Sequence, residues 1–170
     1  MSGRMTEQVD PFQLVERGAV IEGVYGVPAL SRVRAAVYDS VGEFTVRLEF
    51  RPDAAWHAVI VGRLTGTVTL QCQRCLEAMA IDLDIRPHLG LCTSEAEVER
   101  LPDELEPLLA GDAPLNIREV VEDEILLALP IVARHARPCG QVPVTEADDP
   151  ADEDARRPFS DLRKMLDGGE

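Results

Sequence analysis

The chain has 170 residues, enough for one domain with a buried core, and 45% of them are hydrophobic, as in an ordinary globular protein. No stretch approaches the roughly 18 apolar residues of a membrane span, and the N-terminus has no apolar signal core, so we expect a cytoplasmic protein with no membrane partner. The formal net charge is −14, and residues 94–170 hold twenty acidic and eight basic residues. The electrostatic field of the whole chain therefore repels nucleic acid, which excludes binding through overall charge.

The first half of the chain is predicted to form short strands separated by turns. Residues 20–25 and 55–62 are predicted strands, and Pro28 begins a predicted helix that extends to Val37. The clearest strand spans residues 43–51, where apolar and polar side chains alternate strictly. This alternation predicts antiparallel strands with one buried face.

A β-hairpin with two cysteines at its tip is the most informative feature. Residues 64–72 and 79–85 both alternate with a period of two, as half-buried strands do. Cys72 and Cys75 lie in the turn between them, and four cysteines in the whole chain are too few for a secreted disulfide scaffold. Two thiolates separated by two residues in a tight turn can bind one metal ion.

The strongest helix prediction covers residues 116–129. Asn116 can cap the first turn with Glu119 as its capping partner, and Pro130 ends the helix. The apolar stripe is predicted to contain Val121, Ile125 and Leu129, with Val120 and Leu127 alongside. The solvent-exposed face is predicted to carry Glu119, Glu122 and Asp123. Glu124 shares a face with apolar residues and is expected to be partly buried.

The C-terminal part of the chain has a different composition. Residues 141–158 are acidic and poor in large apolar side chains, which is typical of disorder. Phe159, Leu162 and Leu166 then recur at helical spacing and predict a short amphipathic segment that binds a partner. We therefore expect a single α+β domain at 1–140 and an acidic flexible tail at 141–170. The domain is predicted to be an antiparallel β-sheet, with the Cys-x-x-Cys hairpin, backed by one main helix.

Two further candidate metal ligands follow the main helix. His135 and Cys139 lie in the segment HARPCG, about sixty residues beyond the hairpin tip. Together with Cys72 and Cys75 they would complete a zinc site of the Cys3His type. Cys92, near the end of the strand after the hairpin, is an alternative ligand. The alternative without a metal is a set of free thiols in a reducing cytoplasm.

Redox and acid–base chemistry have weaker support. A thioredoxin-type cysteine pair begins a helix, whereas a predicted strand follows Cys75. Consecutive carboxylates at 122–124 point about 100° apart around a helix and cannot converge on one point. His57 and His88 have no evident nucleophile or carboxylate partner, so we predict that the chain is not an enzyme.

Arginines on the predicted sheet are candidates for contact with RNA. The candidates on or beside the sheet are Arg47, Arg51, Arg63, Arg74 and Arg86. Arg47 and Arg51 share the outward face, and Trp56 lies near them in the sequence. The alternative is that ion pairs with Glu43 and Glu49 neutralise these arginines on an ordinary solvent-facing surface.

Three segments together resemble one bacterial family. They are LQCQRCLE at 70–77, VVEDEILLALPIVARH at 120–135 and RPFSDLRKML at 157–166. Their order and distances are similar to those of the YceD family, the large ribosomal RNA subunit accumulation proteins. The resemblance covers roughly residues 20–166 and brings no catalytic residues with it. Some members have a second cysteine-rich motif after this helix, where this chain has only His135 and Cys139.

The resemblance implies a non-enzymatic factor for the synthesis, processing or stability of large-subunit (23S) ribosomal RNA in ribosome biogenesis. We expect its partner to be a basic ribosomal protein or a large-subunit assembly intermediate, because an acidic surface attracts cationic partners. Direct binding of bare RNA is not expected to dominate. The alternative function is a zinc-stapled adaptor between proteins outside ribosome assembly.

Overall fold

The computed structural model of the chain describes residues 8–111 and 113–140. The strands are β1 (Gln8–Val9), β2 (Val20–Gly26), β3 (Glu43–Pro52), β4 (Ala58–Gln71), β5 (Ala78–Ile85), β6 (His88–Cys92), β7 (Glu106–Leu109) and β8 (Leu115–Asn116). The helices are α1 (Pro11–Glu16), α2 (Ser31–Ala36), α3 (Glu95–Val98) and α4 (Ile117–Ala128), with a 3-10 turn at Val27–Ala29. The predicted tail at 141–170, with its segment Phe159, Leu162 and Leu166, lies outside the described residues.

Six strands form the main sheet of an α+β fold. Their order is β2-β3-β4-β6-β7, with β5 paired to the C-terminal half of β4, while β1 and β8 form a small second sheet. β6 and β7 run parallel, so the sheet is mixed and the prediction of an antiparallel sheet is wrong for this pair. The chain between them, which includes α3, is long enough for the crossover that parallel strands require.

The predicted strands 55–62 and 64–72 merge into one continuous strand, β4, although residues 55–57 belong to the turn before it. Gly62 lies inside this strand, at a position where β3 passes too close for a side chain. A Cβ atom there would lie 2.3 Å from the main-chain oxygen of Arg47. Gly66 is in an equally close approach to β3. One long strand therefore connects the middle of the sheet to the cysteine turn.

The predicted hairpin is confirmed, and its inward face is part of the core. β4 and β5 pair antiparallel from Leu64↔Ile85 to Gln71↔Ala78. The core also receives side chains from α2 and α4. Its largest fully buried side chains include Phe44, Phe50, Leu30, Leu48, Ile60, Leu64, Ile117 and Ile125.

No helix within the described ranges is both long enough and apolar enough to cross a membrane.

The helix α4 has the predicted cap but a different exposed face. Asn116 accepts a hydrogen bond from the Arg118 N–H at 3.1 Å, and its Nδ2 donates to Glu119 at 2.9 Å. Glu122, predicted to be exposed, is buried. Its Oε1 accepts a 2.7 Å hydrogen bond from the backbone N–H of Arg32 at the start of α2. Glu122 thus caps a helix whose N-terminus has no cap from its own side chains.

Leu127, predicted to lie alongside the apolar stripe of α4, is instead 76% exposed. Glu124 is the second buried carboxyl group of α4, at 8% exposed, which confirms its predicted partial burial. Burial raises the pKa of Glu124 to about 7, and the negative charges of Glu106 and Asp123 contribute to the increase. Below about pH 7, the fold therefore favours the protonated form of this side chain.

We expect the substitution Glu124→Gln to stabilise the protein at pH 8 but not at pH 5. The folded state holds the proton up to about pH 7, whereas the ordinary pKa of glutamate is 4.5, so wild-type stability falls as the pH rises between these values. Glutamine is neutral throughout this range. The gain above pH 7 should be about 1–2 kcal/mol, because a tenfold change in acidity corresponds to about 1.4 kcal/mol and partial solvation reduces the effect.

Urea unfolding of both proteins at the two pH values measures this gain. Glu99→Gln is the control, because Glu99 is exposed and its substitution should change the free energy of unfolding little. A stability difference for Glu124→Gln that is the same at pH 5 and pH 8 would contradict the prediction.

Candidate metal centre

Backbone hydrogen bonds shape the tip of the β4–β5 hairpin into a tight turn. The N–H of Cys72 donates to the oxygen of Glu77 at 2.9 Å, and the N–H of Leu76 donates to the oxygen of Cys72 at 2.8 Å. Leu76 has a φ of 63°, in the left-handed region that favours glycine. The turn holds the sulfurs of Cys72 and Cys75 within 4.8 Å of each other.

The segment after α4 lies against this tip. Pro130 cannot continue the helix, and the chain leaves α4 in an extended conformation at Leu129. The backbone N–H of Gln73, inside the cysteine turn, donates to the oxygen of Ala133 at 2.8 Å. This bond places the following residues, which include His135 and Cys139, beside the hairpin.

The structure brings the four predicted ligands together. The sulfurs of Cys72, Cys75 and Cys139 and Nδ1 of His135 all lie within 4.8 Å of one another. The Cys72–Cys139 sulfur distance is 3.5 Å, and the His135 Nδ1 atom lies 3.4 Å from the Cys75 sulfur and 3.3 Å from the Cys139 sulfur. In a tetrahedral zinc site the ligand atoms are about 3.6–3.8 Å apart. Both the donor atoms and their spacing therefore fit one metal ion.

The thiols of the cluster have opposite tendencies to ionise. Burial disfavours the thiolate of Cys72, but the backbone N–H groups of Cys75 and Arg74 donate to it, and its pKa falls to about 5. The backbone of Glu77 favours the thiolate of Cys75, but burial and the sulfur of Cys139 raise its pKa to about 11. Neighbouring thiolates repel one another, and a divalent cation would remove this repulsion.

Arg74, between the two cysteines of the turn, ties the hairpin to the later segment. Its Nε and Nη2 atoms donate to the Cys139 sulfur at 3.2 and 3.1 Å, and Nη2 also donates to the oxygen of Arg137 at 2.6 Å. Although burial opposes ionisation, the guanidinium lowers the pKa of Cys139. Outer partners of this kind orient metal ligands. Sequence reasoning missed this role, although the position of Arg74 inside the Cys-x-x-Cys turn was a usable signal.

Cys92, the alternative ligand, is not part of this cluster. It is buried in β6, and its sulfur lies 3.7 Å from the main-chain oxygen of Gly90. Burial raises the pKa of the Cys92 thiol. Its environment is that of an inert core cysteine.

His57 has a carboxylate partner, contrary to the prediction. Its Nδ1 lies 2.8 Å from one oxygen of Asp53, and the other oxygen of Asp53 accepts the backbone N–H groups of Ala55 and His57. The hydrogen bond from His57 lowers the pKa of Asp53. These bonds close the turn between β3 and β4, where Trp56 is 85% exposed with a φ of 68°. The sequence analysis missed Asp53 as the partner of His57, although the two residues are only four positions apart in the same turn.

The arginines on the outward face of the sheet are neutralised by carboxylates. Arg47 pairs with Glu22, and Arg51 Nε lies 3.4 Å from Glu49. Arg63 and Arg86 both pair with Asp84. The prediction of ion pairing is therefore confirmed for Glu49, whereas β2 supplies Glu22 where the sequence suggested Glu43.

Comparison with known proteins relates this chain to one family. The sequence profile described as large ribosomal RNA subunit accumulation protein YceD matches residues 60–166. A protein of that name from Haemophilus influenzae is 29% identical over 129 residues, which cover 75% of this chain and 74% of the relative. No solved structure matches the chain. The range matched by the profile contains all four residues of the candidate metal centre.

Proposed function

The chain belongs to the YceD family of large ribosomal RNA subunit accumulation proteins, and on this premise we propose that it is a non-enzymatic factor for the accumulation of 23S ribosomal RNA. The profile match over residues 60–166 is the observation that carries the proposal, because it includes most of β4, the hairpin tip and α4. We place this role in the cytoplasm, during biogenesis of the large ribosomal subunit.

We propose that Cys72, Cys75, His135 and Cys139 bind one zinc ion. Three thiolates and an imidazole are a common ligand set of structural zinc sites. Four protein ligands fill a tetrahedral shell and leave no position for a substrate or a reactive water, which supports a structural role. Bound zinc would hold the hairpin tip against the segment after α4 and stabilise the folded state.

Two observations support a function without catalysis. The family is described by the accumulation of an RNA and not by a reaction. The Asp53–His57 pair resembles part of a catalytic triad, but the backbone bonds to Asp53 make it the closure of a turn.

The charge of the chain supports a cationic protein partner. We propose a basic ribosomal protein, or a large-subunit assembly intermediate that displays one, as the main partner. The acidic excess in residues 94–170 would accelerate such an association at low salt. Binding of bare RNA would be a smaller contribution.

We also propose the division of the chain into a domain at 1–140 and a tail at 141–170. The tail would present Phe159, Leu162 and Leu166 to a groove of the partner. The profile match extends to residue 166 and so includes this segment, which lies outside the described residues.

Depletion of the protein from its own cells is expected to lower the ratio of large- to small-subunit ribosomal RNA. The precursor ends, mapped in the same cells, separate failed processing from later decay of a mature species. Re-expression of the full chain should restore the ratio and serves as the control. An unchanged ratio after complete depletion would contradict the proposed function.

Metal analysis tests the proposed zinc site. The protein purified without a chelator should contain about one zinc per chain, and Cys75→Ser should lose most of it because three ligands hold zinc less tightly than four. Cys92→Ala is the matched control, because it also removes one thiol but lies outside the cluster. Wild-type zinc content well below one per chain, or equal zinc in both variants, would contradict the site.

A further inference from the structure

The twelve arginines of the described residues differ in their partners. Five of them form ion pairs with carboxylates: Arg32, Arg47, Arg51, Arg63 and Arg86. Arg74, Arg134 and Arg137, here called the arginine cluster, form no ion pair with a carboxylate of residues 8–111 or 113–140. The charges of Arg134 and Arg137 are therefore available to a partner, whereas the guanidinium of Arg74 also donates to the Cys139 sulfur.

The fold assembles the arginine cluster from two distant parts of the chain. Arg74 is in the hairpin tip, and its Nη2 donates to the main-chain oxygens of Arg137 at 2.6 Å and His135 at 3.4 Å. Arg134 directly precedes His135 in the same segment. All three arginine side chains are exposed. The cluster consequently exists only while the tip and the later segment are held together at the metal centre.

The local charge remains positive when the neighbouring negative groups are counted. Glu77 is the carboxylate beside the centre, with an oxygen 3.9 Å from the Cys75 sulfur. A zinc ion with three thiolates and one neutral imidazole carries about one negative charge. The three positive charges of the guanidinium groups exceed these two negative charges. Carboxylates elsewhere are screened beyond about 8 Å at physiological salt, so the overall charge of −14 does not cancel the cluster.

Exposed aliphatic side chains accompany the cluster in both segments. Leu76, at the hairpin tip, is 65% exposed, and Ile131, three residues before Arg134, is 96% exposed. The left-handed backbone at Leu76 is disfavoured for a leucine, yet the fold holds this side chain in solvent. Aliphatic groups beside guanidinium groups are suited to a ligand with both anionic and flat apolar parts.

We propose that the arginine cluster, together with Leu76 and Ile131, binds unpaired segments of RNA. The guanidinium groups contact phosphates, and the aliphatic side chains lie against the faces of unstacked bases. The inference rests on the proposed function, because in a large-subunit precursor the polyanion is RNA whereas ribosomal proteins are mostly basic. RNA contact is then local and salt-dependent, beside the main contact with a cationic protein.

Fluorescence anisotropy with a labelled oligouridine, at salt concentrations from 50 to 200 mM, tests this surface on the zinc-loaded full chain. The double variant Arg134→Ala/Arg137→Ala should bind about tenfold more weakly at the low-salt end. Its plot of log K against log salt should be shallower by about 1.4, because each phosphate contact to a single strand contributes about 0.7. Arg74 is left intact because it holds the segment in place.

The matched control is Arg47→Ala/Arg51→Ala, which removes the same charge from ion-paired positions and should leave RNA binding unchanged. The inference is overturned if the wild type does not bind oligouridine at 50 mM salt, or if both double variants weaken binding equally. It is also overturned if poly-glutamate binds as tightly as RNA, which would indicate an acidic protein ligand. The ribosomal RNA ratio after depletion is measured independently of these binding experiments. The RNA-binding surface can therefore be disproved while the proposed function stands, and the reverse.

Discussion

The contact between the hairpin tip and the segment after α4 is the interaction on which the candidate site depends. It joins residues about sixty positions apart, and closing a loop of that length costs conformational entropy. Three features offset this cost: the Gln73–Ala133 backbone bond, the hydrogen bonds of Arg74, and the ion that the thiols and imidazole would share. The hairpin tip follows β4 and the later segment follows α4, so the packing of these two elements places the tip and the segment side by side.

Much of the site was predictable because it depends on local patterns. The alternation of β4 and β5 predicted the hairpin, the cap at Asn116 predicted the start of α4, and ligand type and spacing selected the four metal-binding candidates. The rest depends on tertiary neighbours. The four-residue strand β7 is too short and proline-rich to show alternation, so its parallel pairing was missed. A charged side chain such as that of Glu122 is normally exposed, and its burial depends on the hydrogen bond that it accepts from the N-terminus of α2.

The distribution of charge explains how an acidic chain can serve an RNA-related function. The arginines on the outward face of the sheet are paired with carboxylates, so most of the positive charge of the surface that the sequence suggested for RNA is already compensated. Three arginines that form no ion pair with a carboxylate of the described residues lie instead at the candidate metal centre. Under the proposals made above, the acidic surface recruits a cationic protein while the hairpin tip contacts RNA nearby. Zinc would then be a structural requirement for the RNA-binding surface.

X-ray absorption at the zinc edge of the purified full chain tests the central claim most directly, because it identifies the atoms around the ion. The account predicts three sulfur ligands at about 2.3 Å and one nitrogen at about 2.0–2.1 Å, with no bound water. A shell dominated by oxygen or nitrogen would contradict the Cys3His site and the closure that it stabilises.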